Sequence, residues 1–339
     1  MQTVRAQARR IHDEAILIDG HNDHFYSAWY RGASRVMTRV DRALDTDAPR
    51  LRRAGLTATF YMTGGWELES SLTMMEWALR EIENRPDLLL QIRKTADLRR
   101  AKRTGRFGVM LSWESCNALM GRIEVLQAAY RLGLRATTLT YSDGGGEHSL
   151  QGTPLPTGYL TSEERESHRR AAKGLTPFGH EVVAEMNRLG VLIDVAHAND
   201  ATIEDAVRLT NKPLVSSHGA AFALCPHARC STDAQLRLIA STGGLIGIVV
   251  YTKFLAPPPA AATLNTMVDH LAYVADLVGI EHVAIGSDLG ALGQSDSVVR
   301  TPADFVKLTE TMLRRGFTPA DVRKVWGGNY LRVLGEVIG

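Results

Sequence analysis

A chain of 339 residues can bury a large core, and 45% hydrophobic with 22% charged residues is an ordinary globular balance that excludes a disordered or fibrous protein. A formal charge of +2, with Lys and Arg scattered, leaves no footprint for nucleic acid. Three cysteines without a CxxC pair give no disulfide framework and suit a reducing cytoplasm, while the charged N-terminus and the lack of a long apolar run argue against a signal peptide or a membrane span.

Along the chain, short apolar runs rich in β-branched residues alternate with segments of helical period. The predicted strands are AILIDG (15–20), ATFYMT (58–63), FGVMLSW (107–113), RATTLTY (135–141), GVLIDVAH (190–197), PLVSSH (213–218), GLIGIVVY (244–251) and HVAIGSD (282–288). Amphipathic helices are predicted between them, among others at 176–190, 200–210 and 264–279. The basic stretch RKTADLRRAKR (93–103) reads as a solvated helix face. Strands alternating with helices call for parallel βαβ units, and eight of them point to an α/β fold of the TIM-like (β/α)8 barrel type. No linker or repeat divides the chain, so residues 1–339 are expected to form a single domain. The Gly/Pro/Ser/Thr-rich stretch 142–164 after the fourth strand is too long for a plain connection and reads as a functional loop.

Barrel active sites lie at the carboxyl ends of the strands. Those ends carry His21 and Asp23, Glu114, His197, His218 and Asp288. Alternation supports convergence: Met110, Ser112 and Glu114 should share one face of a strand, as should Ile193, Val195 and His197, and Ala284, Gly286 and Asp288. Three imidazoles and three carboxylates make a mixed N/O set suited to Zn2+ or a similar divalent ion. Six ligands exceed one tetrahedral zinc but serve two metals if a carboxylate bridges, and Glu114 is placed to do so. Each residue also has a plainer reading. An Asp after a strand commonly caps the next helix, which competes for Asp23 and Asp288. A single strand-end His is most often a hydrogen-bonded structural group. Glu114 is the hardest to explain away, because a carboxylate ending so apolar a strand needs a partner. His12, His168, His270 and His282 fall in helical or pre-strand segments and read as surface or capping groups.

In IDGHND, SWESCNAL, LRATTLT, GLTPFGHEVVAEMNRLGVLIDVAH, PLVSSHGAAFALCPHARC, HVAIGSD and GGNYLRVL the chain resembles the membrane dipeptidase (renal dipeptidase) family of binuclear zinc peptidases, in order from about residue 15 to the end. The resemblance implies hydrolysis of small dipeptides by a hydroxide between two zinc ions. His21, Asp23 and Glu114 would hold one zinc, and Glu114, His197 and His218 the other. It further implies that Arg229 binds the substrate carboxylate and that Asp288 moves a proton to the leaving amine. The related phosphotriesterase-like barrels bridge their metals with a carbamylated lysine on strand four; RATTLTY has none, which again favours Glu114. One position departs from the family: where LTH is usual this chain has LTY. Tyr141 would donate to the oxyanion in place of the histidine, or His148 would swing in from the loop, or Tyr141 merely packs under that loop. The alternatives are therefore a specialised amidase for a non-standard amide or modified amino-acid conjugate, and a metal-binding homologue without turnover. The expected partners are a small dipeptide or amide, with neither nucleic acid nor membrane, and a homodimer is left open.

Overall fold

The computed structural model describes residues 3–40, 46–142, 147–291 and 296–339. Among these, one parallel sheet contains β1 (Ile18–Asn22), β2 (Ala58–Met62), β3 (Leu89–Gln91), β4 (Phe107–Glu114), β5 (Leu134–Thr138), β6 (Leu192–Asp194), β7 (Val215–Gly219), β8 (Leu245–Ile248) and β9 (Val283–Ile285). Eight strands run in the order β1-β2-β4-β5-β6-β7-β8-β9 and curl into a TIM-like barrel. The two ends meet where Asn22 bridges Leu289 and Asp288 N–H donates to His21 O at 3.1 Å. The short β3 was not anticipated: it pairs with residues 107–109 of β4, on the edge whose later residues, 111–114, pair with β5. Its leucine run follows the helix Leu68–Asn84 closely and, at three residues, is too short to show an alternating pattern.

Both faces of the barrel are covered, so its strands are apolar almost throughout, as parallel sheets require. Ile18, Ala58, Phe60, Met110, Ala136, Leu192, Val215, Leu245 and Ala284 pack together inside, closed off by Tyr330. Val109, Leu111, Trp113, Ile193, Val195, Ile246 and Ile285 form the layer beneath the helices. A side chain on Gly286 would run into the carbonyl of Ser217, so the barrel interior is closed to even a methyl group there. The predicted helices appear at Pro177–Leu189, Asp200–Leu209 and Leu264–Val278, each N-capped by a Thr or Asn side chain. His12 and His270 are not surface groups. His12 Nδ1 lies 2.7 Å from Ala54 O and its Nε2 2.8 Å from Thr309 Oγ1; His270 Nδ1 accepts from Ala221 N–H at 3.0 Å, with Nε2 3.1 Å from Leu255 O. Both are buried struts between elements distant in sequence. No helix among the described residues is long and apolar enough to cross a membrane.

Candidate metal centre

The carboxyl ends of the strands gather the site. His21 is in β1, whose register with β2 slips between Asp19 and Asn22. Asp23 stands at the N-cap position of the helix His24–Tyr30, yet its side chain makes no capping hydrogen bond, which leaves the carboxylate to face the site. Glu114 is the last residue of β4, held by its N–H on Gly64 O at 2.7 Å. The loop Gly64–Gly65 crosses so near that a side chain on Gly65 (φ +126°) would meet the Glu114 backbone.

Alternation along the strand does not bring His197 in. Ile193 and Val195 point outward to the helices, while Leu192 faces the interior, and the imidazole turns into the site because His197 itself adopts φ +67°. Asp288 does the same at φ +62°, and Ser142 and Ser115 beside the site have φ +66° and +123°. Left-handed backbone in non-glycine residues costs free energy, and among the described residues four of the five such positions surround this centre. Asp288 lies in irregular backbone just after β9 rather than at a helix start.

Three imidazole nitrogens converge on one carboxylate oxygen. Glu114 Oε1 is 3.0 Å from His197 Nε2, 3.3 Å from His218 Nε2 and 3.5 Å from His21 Nε2. His21 Nε2 is also 3.4 Å from Asp23 Oδ1 and 3.9 Å from Asp288 Oδ1. The outer nitrogens of two rings are engaged by serines, His197 Nδ1 with Ser142 Oγ at 2.8 Å and His218 Nδ1 with Ser217 Oγ at 2.9 Å. With those Nδ1–H groups donating, each Nε2 presents a lone pair, and the two lie 3.1 Å apart. Facing lone pairs repel unless a cation lies between them. His21 Nε2 and Asp23 Oδ1 are buried without any hydrogen-bond partner. These orphaned atoms and the donor chemistry fit divalent metal, and the ligand atoms fall into compact threes: His21, Asp23, Glu114; Glu114, His197, His218; and His21, His218, Asp288.

The electrostatics of the metal-free site agree with this. Burial drives His197 and His218 well below the ordinary imidazole pKa, helped by Arg229 and His21, so both are neutral and able to ligate a metal. Burial opposes charge on His21 too, but Glu114 and Asp23 prevail and hold it up to about 10. Burial pushes Glu114 well above the carboxylate range, and burial with Asp23 holds Asp288 up to about 8. Crowded carboxylates that keep protons are a site short of positive charge.

The centre forms the floor of a cavity of about 450 Å3. Its walls include Arg229, Trp66, Tyr141, Tyr251 and Phe254. Arg229 Nη2 is buried without a partner, and its guanidinium lies 5.6 Å over the Phe254 ring. Tyr141 stacks on His197, centroids 4.4 Å apart at 26°, with Trp66 edge-on behind it. Burial, reinforced by Glu114, raises the Tyr141 pKa, so its phenol keeps its proton. His148 is half-buried in the loop and does not line the cavity; residues 143–146 just before it lie outside the described residues. Sequence reasoning missed Ser142 and Ser217, each beside a residue it did single out, and the wall residues Trp66, Tyr251 and Phe254.

The model of the membrane dipeptidase family, peptidase family M19, matches residues 5–338. The chain belongs to that family. It is a metallodipeptidase-type hydrolase, and its relatives agree. Dipeptidase aclJ of Aspergillus oryzae is 30% identical over 348 residues, covering 95% of this chain and 78% of that protein. An amidohydrolase from Pseudomonas aeruginosa is 26% identical with a TM-score of 0.80, covering 97% and 98% of the two chains. A metallo peptidase from Rhodobacter sphaeroides, solved with a phosphinate mimic of the dipeptide L-Ala-D-Ala, shares the fold at 24% identity and a TM-score of 0.85, covering 96% and 100%.

Proposed function

We propose that this M19 enzyme is a binuclear zinc dipeptidase that hydrolyses the amide bond of small dipeptides. The observation that carries the reading is the sharing of Glu114 by two three-residue ligand groups that face Arg229 across one cavity. His21, Asp23 and Glu114 would hold one zinc, and Glu114, His197 and His218 the other. Zinc bound there supplies Lewis acidity and lowers the pKa of coordinated water to about 7.

The chain's own residues do the rest. Arg229 pairs with the C-terminal carboxylate of the dipeptide through its planar guanidinium, giving Nη2 the partner it lacks. Asp288 accepts the proton of the attacking water and returns it to the departing amine. Tyr141, still protonated, donates to the developing oxyanion. The dipeptide mimic bound by the Rhodobacter peptidase supports a substrate of this size. We read residues 1–339 as one catalytic domain working in a reducing cytoplasm.

The test is a dipeptide panel assayed with purified protein, metal-stripped and zinc-reconstituted. Zinc-dependent turnover of several dipeptides is expected. Turnover confined to another amide would replace this reading with the specialised amidase, and none at all would leave a binding protein.

A further inference from the structure

Beside Arg229, the sequence CPHARC carries two cysteines five residues apart. Both are buried, and their thiols reach successive carbonyls of one short helix, Thr252–Leu255. Cys225 Sγ donates to Lys253 O at 3.5 Å and Cys230 Sγ to Phe254 O at 3.4 Å. The two sulfurs therefore sit on neighbouring carbonyls of one helical turn, and the His227 N–H donates to Cys225 O at 2.7 Å in the segment that joins them. The neighbouring Cys230 side chain lowers the pKa of the Cys225 thiol, which makes Cys225 the nucleophile of the pair. Neither sulfur has a part in the metal centre.

The surroundings connect this pair to the cavity. Arg229 adjoins Cys230 in the chain, and its guanidinium rests over Phe254, whose carbonyl receives the Cys230 thiol. The 142–164 loop is tied to the same turn, Ala228 N–H donating to Gly158 O at 2.8 Å and Leu160 N–H to Pro226 O at 2.7 Å. Tyr159 Oη donates to Lys253 O at 3.0 Å, the carbonyl that also receives Cys225.

We propose that Cys225 and Cys230 form an oxidisable dithiol whose closure to a disulfide loosens the Arg229 clamp, an inference that rests on the reading of Arg229 as the group holding the substrate carboxylate. A peroxide is the oxidant. The Cys225 thiolate attacks one peroxide oxygen, giving a sulfenic acid and, with a proton, one water. The Cys230 sulfur then displaces the sulfenic hydroxyl, forming the S–S bond and a second water. Two thiols lose two electrons and hydrogen peroxide gains them. The disulfide has no S–H, so Lys253 O and Phe254 O each lose a donor, and the Pro226–Arg229 segment is closed into a ring. Arg229 and the Phe254 ring beneath it shift together. Transient disulfides of this kind are compatible with a reducing compartment.

The experiment uses the zinc-loaded enzyme with and without hydrogen peroxide. Thiols are counted after denaturation, the disulfide is mapped by mass spectrometry, and kinetics are measured on a dipeptide and its C-terminal amide. The thiol count should fall from three to one, with residues 225 and 230 linked. KM for the free-carboxylate dipeptide should rise about tenfold, the loss of roughly one charged hydrogen bond, with little change for the amide and full recovery in dithiothreitol. Cys225→Ser and Cys230→Ser should each hold KM constant in peroxide; two variants guard against one failing to fold. A count that stays at three, a linkage elsewhere, or a mapped 225–230 disulfide with unchanged KM overturns the proposal. A reduced enzyme inactive on every dipeptide refutes the dipeptidase reading instead, and the thiol count and map still decide the pair.

Discussion

Replacing Arg229 with Ala isolates the proposed substrate clamp. The guanidinium is drawn out of water by burial, which lowers its pKa although Glu114 and Asp288 resist the change, and its Nη2 has no hydrogen-bond partner. A substrate carboxylate would meet a donor already desolvated, so pairing is strong, and truncating one partner of such a pair costs about 2–5 kcal/mol. Taking about 3 kcal/mol, kcat/KM should fall about 150-fold, mostly through KM. The loss applies only where a carboxylate exists. On C-terminally amidated dipeptides the same variant should lose less than about tenfold. Arg229→Lys should fall between, since an ammonium keeps the charge without the two-pronged fork. Thermal stability should hold or rise, because the mutation removes a buried guanidinium whose Nη2 has no hydrogen-bond partner in the free protein. The assay is steady-state kinetics on matched free-acid and amide substrates at equal zinc content. Equal losses on the two series would refute the clamp and make Arg229 a structural residue.

Tyr141→Phe retains the stack on His197 but removes the phenolic donor, so kcat should fall by about 10²-fold with zinc content unchanged; kinetics indistinguishable from wild type would assign Tyr141 to packing alone. Tyr141→His should move the substrate profile toward ordinary dipeptides, read from the same panel. In the metal-free protein Asp288 is held up to about 8 and His21 up to about 10, above their unfolded values of 3.8 and 6.5. Their contribution to stability is therefore present at low pH and is lost as pH rises through the folded values. His197 and His218 have the opposite sign but act below pH 6.5, so between about pH 6.5 and 8 the metal-free Tm should fall. Zinc affinity should rise over that window as the carboxyls give up protons; calorimetry in buffers of different ionisation enthalpy that detects no proton release at pH 7 would contradict this.

Much of the site could be read from the sequence because barrel chemistry sits where strands end, and IDGHND, FGVMLSWE and LVSSH mark those ends with residues that a buried apolar run cannot hold without partners. Alternation failed as a guide at β6: His197 enters through a left-handed backbone, and φ is not written in a strand pattern. The serines that engage the imidazoles were out of reach for a different reason. Ser142 meets His197 across 55 residues, a pairing that only the closed barrel creates. Likewise His12 and His270 look like surface residues until the helices that enclose them are assembled.

The shared role of Glu114 is the central claim, and metal content measures it most directly. Protein stripped with chelator, reconstituted with zinc and freed of excess should hold two zinc ions per chain by elemental analysis. Glu114→Gln, which removes a carboxylate common to both ligand groups, should hold fewer than one. One zinc per chain in the fully reconstituted wild type, or two in Glu114→Gln, would contradict the bridged binuclear centre.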